Sequence, residues 1–318
     1  MRMSDIARMY IGLNVYNEDT AKAITVAARL FDMRSGIDDI QDIDYEALAT
    51  FKHEVLNVAR AKPITYNSYL RYLRLLGAWA LEEGFWEKDW FARVKRAPEP
   101  SAPPKTIDTD VFAAAFTFLK THPDVLPPAW FWLLVIRFFY YTGIRRRQIV
   151  SIELQDIDLE NRILIASYRG SKTRKEWSIP LAEELVEDVK YLIRRNENAL
   201  GRLMRPTDKL FNVCRFNSRY KPDPKNPGAM TGACITGLMK RLSAHISMRI
   251  GAHRIRHTTA TTLCNFEDEE NPDIFAVQEL LGHTVLKTTR GYVKTKISRV
   301  RMQVNKLSLP RSGYYREK

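Results

Sequence analysis

A proline-rich segment near residue 100 limits what the chain can fold into. Between Arg96 and Lys105 four of the residues are prolines: Pro98, Pro100, Pro103 and Pro104. Proline lacks the backbone donor and clashes with the preceding helical turn, so a helix cannot continue through this segment. Extended proline-rich stretches act as semi-rigid spacers, and 318 residues suffice for two separate cores. We therefore predict two domains, residues 1–98 and 107–318, joined by a linker at 99–106.

The first predicted domain is helical. Apolar residues recur at near-helical spacing from 21 to 31, Asp44 is placed to cap a helix, and another helix is predicted from 66 to 83. In that last helix Arg71 and Arg74 lie away from the apolar stripe. A solvated surface and a surface that contacts an anionic partner are equally compatible with these two arginines.

The second predicted domain combines helices with a small β element. An apolar run from 129 to 142 predicts a buried helix that ends in a turn at Gly143. Strands are predicted at 162–168 and 176–180, and the alternation at 177–179 suits an edge strand. Residues 211–232 contain three prolines and are predicted to be loop-rich. The predicted fold class is mostly α with a small antiparallel β-sheet, α+β overall.

The charge of the chain indicates its partner. A net charge of +13 and a pI of about 9.6 favour a polyanion. A membrane surface also attracts basic proteins, but no apolar run is long enough to span a bilayer, and the first residues do not begin a secretory signal. The three scattered cysteines lack the spacing of a metal site. We expect a cytoplasmic protein that does not act at a membrane.

Most of the residues that could carry chemistry lie between 252 and 292. His253 and Arg256 are three residues apart, which places them on one face of a helix. Further along, a Leu-Gly-His triplet ends at His283, and Tyr292 follows nine residues later. Two histidines, an arginine and a tyrosine suggest a site in which a phenol attacks an anion. The phosphate of DNA fits both the chemistry and the basic charge.

This pattern resembles the tyrosine recombinase, or phage integrase, family over about residues 60 to 295. The family's H-x-x-R-H motif is matched at 253–257, its T-G-[LI]-R motif at 142–145, and its β-hairpin lysine by Lys172, eight residues before Pro180. The resemblance implies an N-terminal helical core DNA-binding (SAM-like) domain at 1–98. It also implies a catalytic domain at 107–318, which ends in a tail exchanged between protomers. This domain would cleave and rejoin DNA through a 3′-phosphotyrosyl intermediate, without a cofactor.

The resemblance assigns six catalytic residues: Arg145, Lys172, His253, Arg256, His283 and Tyr292. The two arginines would bind the scissile phosphate, the two histidines would hydrogen-bond to it, and the tyrosine would attack it. The lysine would protonate the departing 5′-oxygen. Lys175 is a rival for this role, because it lies in the same basic turn.

Other residues are expected to support the site or to contact DNA. His257 is expected to fasten the helix behind the catalytic residues. Gln148 stands where the family usually has a carboxylate, and its amide would hold Arg145 without a charge. The remaining candidates for DNA binding are Arg71, Arg74, Arg146, Arg147, Arg169, Arg174 and Lys175.

Three other interpretations stay open from the sequence. His253 and His257 have the spacing of the zinc motif H-E-x-x-H, but Arg254 occupies the glutamate position and a third ligand is not evident, so we expect no metal. A type IB topoisomerase has a closely similar set of residues and relaxes supercoils as a monomer. A DNA-binding protein with a vestigial site is the third interpretation.

The leading interpretation is a site-specific recombinase that integrates, excises or rearranges DNA. Its partner would be a specific double-stranded site, on which four copies assemble from a free monomer or weak oligomer. Apolar residues recur at helical spacing between 297 and 309, after Tyr292. We predict that this helix docks on the next protomer, with docking back onto its own domain as the alternative.

Overall fold

The computed structural model describes residues 1–100, 105–170, 176–265 and 273–293. The chain forms two compact units, Met1–Ala102 and Pro103–Lys318, and each contains its own hydrophobic core. The fold is mostly helical with small antiparallel sheets, as predicted. Among the described residues, no helix is both long and apolar enough to cross a lipid bilayer.

Four α-helices build the first unit: α1 (Met3–Leu13), α2 (Glu18–Arg34), α3 (Tyr45–His53) and α4 (Pro63–Glu82). The side chains of Phe31, Phe51 and Leu73 are buried between them. Asp44 caps α3 as predicted, because its carboxylate accepts a hydrogen bond from the N–H of Ala47 at 2.8 Å. Proline occupies the first position of α4, where a backbone donor is not needed.

The second unit contains eight α-helices and five short strands among its described residues. The helices are α5 (Thr109–Thr121), α6 (Ala129–Thr142), α7 (Arg146–Ile149), α8 (Glu183–Leu200), α9 (Gly232–His245), α10 (Ala252–Leu263), α11 (Ile274–Leu281) and α12 (Leu286–Arg290). The strands are β1 (Ile157–Asp158), β2 (Ile163–Ala166), β3 (Trp177–Pro180), β4 (Pro222–Asp223) and β5 (Asn226–Met230).

Both sheets of the second unit are antiparallel. The first has the order β1-β2-β3, with Ala166 opposite Trp177, so β3 is an edge strand as predicted. The second is the hairpin of β4 and β5, which the prediction of a loop-rich segment at 211–232 missed. Its prolines are tolerated because a two-stranded hairpin consists of edges, where a missing N–H need not remove a ladder bond.

The apolar helix α6 forms the centre of the second unit, as its sequence predicted. Phe131, Trp132, Phe138 and Phe139 are all fully buried. The helix ends at Gly143, whose φ of +58° is left-handed, a conformation that glycine adopts without steric penalty. This turn directs the following segment toward α10 and α11.

Gly143 tests how closely α6 and α11 pack. Gly143→Ala should cost more than the ~1–2 kcal/mol that a left-handed conformation costs any L-residue. The reason is that its new Cβ would lie 2.7 Å from Cδ2 of Leu281. Gly201→Ala is the matched control, since Gly201 has a φ of +64° and a Cβ added there would have no other atom within 4 Å. Calorimetric melting of both variants measures the difference, and equal losses would contradict the close approach.

Candidate active site

The fold brings the sequence motifs of the second unit together at one end of α10. That helix supplies His253, Arg256 and His257. Arg145 follows the left-handed turn at the end of α6. The turn after α11 supplies His283, and Tyr292 follows α12. Five of the six predicted catalytic residues are therefore neighbours, although more than 140 positions separate the first from the last.

Arg256 joins the ends of two helices. Its side chain is buried, with 3% of its surface exposed. Nη1 donates to the carbonyl of Gly143 at 2.5 Å, and Nη2 donates to the carbonyl of Leu281 at 2.7 Å. These carbonyls lie at the C-terminal ends of α6 and α11, where backbone acceptors lack an intrahelical partner and carry partial negative charge. The arginine therefore satisfies both helix ends.

The same guanidinium also holds His283. Nη2 of Arg256 lies 2.9 Å from Nε2 of His283. A guanidinium has no acceptor, so Nε2 of the imidazole accepts this bond and Nδ1 carries the ring proton. Nδ1 lies 2.9 Å from Oγ1 of the buried Thr289, which completes the pair of contacts. Burial, followed by the charge of Arg256, lowers the pKa of His283 to about 4. His283 is therefore uncharged at neutral pH.

Arg256 keeps its charge and part of its bonding capacity. Burial, followed by the charge of Arg145, lowers the pKa of Arg256 to about 9, so it is protonated at neutral pH. Its bonds to described residues occupy three of the five N–H groups of a guanidinium. Two N–H groups remain for an anion.

Arg145 differs from Arg256 in that its guanidinium has no hydrogen bond to a described residue. Its side chain is half-buried and makes no hydrogen bond to any residue in the described ranges. Burial lowers its pKa, and the nearby Tyr292 opposes this effect. Gln148 bonds to the backbone of this turn and not to the guanidinium: its Oε1 accepts from the N–H of Arg145 at 3.2 Å. Arg145 thus presents a whole guanidinium to an incoming ligand.

Tyr292 lies inside the cluster, with 7% of its surface exposed. Its ring is parallel to that of His283, with centroids 6.1 Å apart, and lies 5.3 Å from the ring of His257. Burial raises the pKa of its phenol, and the charges of Arg256 and Arg145 act against that rise. The resting phenol is protonated, with two cations close enough to stabilise its anion.

The other two histidines extend the cluster toward solvent. His253 is exposed, and its ring lies 4.2 Å from that of His257. His257 has a buried Nδ1 without a hydrogen-bond partner in the described parts of the chain. Its expected role of fastening the helix is thus not carried by a bond from this atom. Burial, followed by the charges of His253 and Arg256, lowers its pKa to about 4.

Two contributions to the site were not predicted from the sequence. One is Thr289, which fixes the ring of His283; the other is the pair of backbone carbonyls that hold Arg256. Threonines occupy both positions 288 and 289, and no sequence signal distinguishes which hydroxyl faces the histidine. Backbone acceptors carry no sequence signal at all.

The predicted DNA-binding arginines fall into two groups. Arg71 and Arg147 are exposed, with the guanidinium of Arg71 over the ring of Tyr72 at 4.5 Å. Three others form the following hydrogen bonds and ion pairs. Arg74 donates to the carbonyls of residues 91 and 94, Arg146 donates to the hydroxyl of residue 236, and Arg169 donates to the carboxylate of residue 156 and forms an ion pair with that of residue 153. Intramolecular bonds favour a structural role for these three.

Several predictions lie outside the described residues. They concern Lys172, Arg174, Lys175 and the tail after residue 293. Among the described residues there is also no group of three potential metal ligands.

The two arginines should differ in their effect on stability. Arg256→Ala leaves two buried carbonyls and Nε2 of His283 without their hydrogen-bond donor. We expect it to lower the free energy of unfolding by about 3 kcal/mol or more. Arg145→Ala removes a cation whose guanidinium bonds to none of the described residues, and we expect a change within about 1 kcal/mol. Calorimetric melting of both variants checks this, and similar losses would contradict the bonding described for Arg256.

The lowered histidine pKa values predict a pH dependence of stability. A histidine whose pKa falls on folding binds protons more tightly when unfolded, so stability is complete above its ordinary pKa of 6.5 and falls toward pH 4. His257→Asn should therefore reduce the loss of melting temperature between pH 7 and pH 5. His53→Gln, at an exposed position in the first unit, is the control and should keep the wild-type slope. An unchanged slope in His257→Asn would refute this assignment.

Similarity to known proteins agrees with this geometry. A relative named putative tyrosine recombinase XerC from Pseudomonas aeruginosa is 27% identical over 322 residues, covering 97% of this chain and 72% of that protein. Tyrosine recombinase XerA from Pyrococcus horikoshii is 28% identical over 177 residues, and this chain spans about half, 54%, of its length.

Solved structures share the fold. The Tn1549 transposon integrase in complex with a circular intermediate DNA covers 96% of this chain and 100% of its own, with a TM-score of 0.74 and 17% identity. A lambda integrase dimer bound to a core site covers 92% of this chain and 76% of its own, with a TM-score of 0.67 and 15% identity. A sequence profile of the phage integrase family matches residues 105–299. The chain therefore belongs to the phage integrase family, the tyrosine recombinases.

Proposed function

We propose that the chain cleaves a specific double-stranded DNA site with Tyr292 and rejoins the strands in a new arrangement. The observation that carries this proposal is the position of the tyrosine ring, in one protomer, beside two arginines and two uncharged imidazoles. Such a cluster suits an anion attacked by a phenol. The recombinase names of the relatives favour this function over a DNA-relaxing topoisomerase or a vestigial site.

The arginines supply the electrostatic part of the reaction. Negative charge on the non-bridging oxygens of the scissile phosphate must be stabilised as the attacking oxygen approaches. Arg145 offers a complete guanidinium, and Arg256 offers the two N–H groups that its structural bonds leave over. His253 is exposed at the rim of the cluster, where it can donate to the same phosphate. A planar guanidinium matches two phosphate oxygens at once.

The bonding changes can be stated atom by atom. The phenol oxygen of Tyr292 forms a bond to phosphorus, the bond from phosphorus to the 5′-oxygen breaks, and the phenol proton leaves to an uncharged imidazole or to water. The 5′-oxygen needs a proton, for which Lys172 is our candidate and Lys175 the rival. Attack by a 5′-hydroxyl on the phosphotyrosine reverses these steps, so no external energy source or cofactor is required.

Tyr292→Phe tests the nucleophile. The wild type should form a covalent protein–DNA adduct that survives detergent when it is incubated with a nicked suicide duplex made from its flanking genomic DNA. Tyr292→Phe should bind the duplex with unchanged affinity and form no adduct, because only the phenol oxygen is lost. Tyr168→Phe, at an exposed tyrosine, is the control and should react normally. An adduct formed by Tyr292→Phe would remove Tyr292 from this role.

Strand exchange between two sites requires paired protomers on each, so we propose a homotetramer on DNA. The apolar stripe between 297 and 309 is our candidate for the segment that one protomer donates to the next. Its spacing suits one face of a helix. The DNA in structures of the Tn1549 integrase and lambda integrase supports a DNA-bound assembly for this chain.

Truncation after Lys296 tests the donated segment. The shortened protein should remain folded and bind a single site, but it should lose cooperative pairing and recombination. Gel shifts on one-site and two-site duplexes measure this, together with thermal melting. Unfolding of the shortened protein would favour docking of the segment on its own domain, and intact recombination would refute the exchange.

A further inference from the structure

Trp177 links the β-sheet to the turn that carries His283. It is the first residue of edge strand β3, and its indole Nε1 donates to the carbonyl of Leu280 at 3.1 Å. Its ring also lies against Gly282, since a Cβ at that glycine would be 2.5 Å from Cζ2 of the indole. Gly282 has a φ of +58°, so a glycine is required there for two independent reasons.

The turn that Trp177 contacts is the C-terminal end of α11. Three of its backbone carbonyls accept bonds from different parts of the site. Leu280 accepts from Trp177, Leu281 accepts from Arg256 at 2.7 Å, and Gln278 accepts from the N–H of His283 at 3.0 Å. The side chain of Gln278 returns a bond to the carbonyl of His283 at 2.9 Å. The location of this turn therefore determines where both the arginine and the histidine lie.

We propose that Trp177 is a positioning residue for the phosphate-binding groups Arg256 and His283. α11 has only eight residues, and its end is bonded on one side by Arg256 of α10. Trp177 supplies a separate bond from the sheet, on an element that contributes none of the described catalytic side chains. Its indole N–H therefore sets the distance between the carbonyl of Leu281 and the guanidinium. This inference rests on the proposed function of the site.

Trp177→Phe separates this role from general packing, because it keeps an aromatic ring and removes only the N–H donor with part of the ring. Trp86→Phe is the matched control, since the indole of Trp86 donates to the carbonyl of Gly77 at 3.0 Å in the first unit. Both variants should remain folded at the assay temperature, which thermal melting checks. Single-turnover cleavage would be measured at saturating protein, on a nicked duplex carrying the site recovered from the wild-type adduct.

We expect Trp177→Phe to cleave this duplex about tenfold more slowly or worse, the scale of loss for a small misplacement of catalytic groups. Its DNA affinity should be unchanged, and Trp86→Phe should cleave at the wild-type rate. Wild-type cleavage by Trp177→Phe, or equal losses in both variants, would overturn the inference.

A second substrate tests whether the loss acts through Arg256. A methylphosphonate at the scissile position replaces one anionic oxygen by a methyl group, so less charge has to be stabilised. On this duplex the rate of Trp177→Phe should approach that of the wild type, and Arg256→Ala should recover in the same way. A defect of equal size on both duplexes would overturn the inference. If the wild type itself forms no adduct, the proposed function fails. If the wild type reacts but Trp177→Phe does not show the expected loss and recovery of cleavage, only this inference fails and the proposed function stands.

Discussion

The bonds of Arg256 are the interaction on which the rest of the site depends. A buried guanidinium is unfavourable unless acceptors replace its water, and here the acceptors are carbonyls at the ends of α6 and α11 and the ring of His283. Among the described residues no carboxylate pairs with it. Helix-end carbonyls carry only partial charges, so they stabilise the cation without neutralising it. The positive charge therefore remains available to a phosphate.

Burial and, secondarily, the nearby cations determine the charge states of the neighbouring groups. Burial and nearby arginines lower the pKa values of His257 and His283 to about 4, so both rings are neutral at physiological pH. Burial keeps Tyr292 protonated, while the same arginines favour its anion. The resting site is thus a cationic cluster without a carboxylate among its described members. An entering phosphodiester would supply the missing negative charge, and the two arginines would then face both the phosphate and the attacking phenol oxygen.

Much of the fold followed from local patterns. The buried helix α6, the left-handed turn at Gly143, the cap at Asp44 and the edge strand β3 depend on apolar spacing, glycine geometry and side-chain acceptors within a few residues. The hairpin at 222–230 was missed because its prolines argue against strands in general. Prolines are acceptable on edge strands, and both strands of a two-stranded hairpin are edge strands. The number of strands that pair in a sheet is decided only when the chain folds.

The sequence by itself determined the family and nominated the candidate site. Arg145, His253, Arg256, His283 and Tyr292 occur in motifs whose order and spacing indicate the family and the chemistry. The tertiary structure decided how those residues differ. It gave Arg256 structural bonds, left the guanidinium of Arg145 without a hydrogen bond to any described residue, and brought the indole of Trp177 to the carbonyl of Leu280, 103 residues away. These differences depend on backbone carbonyls and long-range contacts, which have no residue pattern and exist only once the helices are packed.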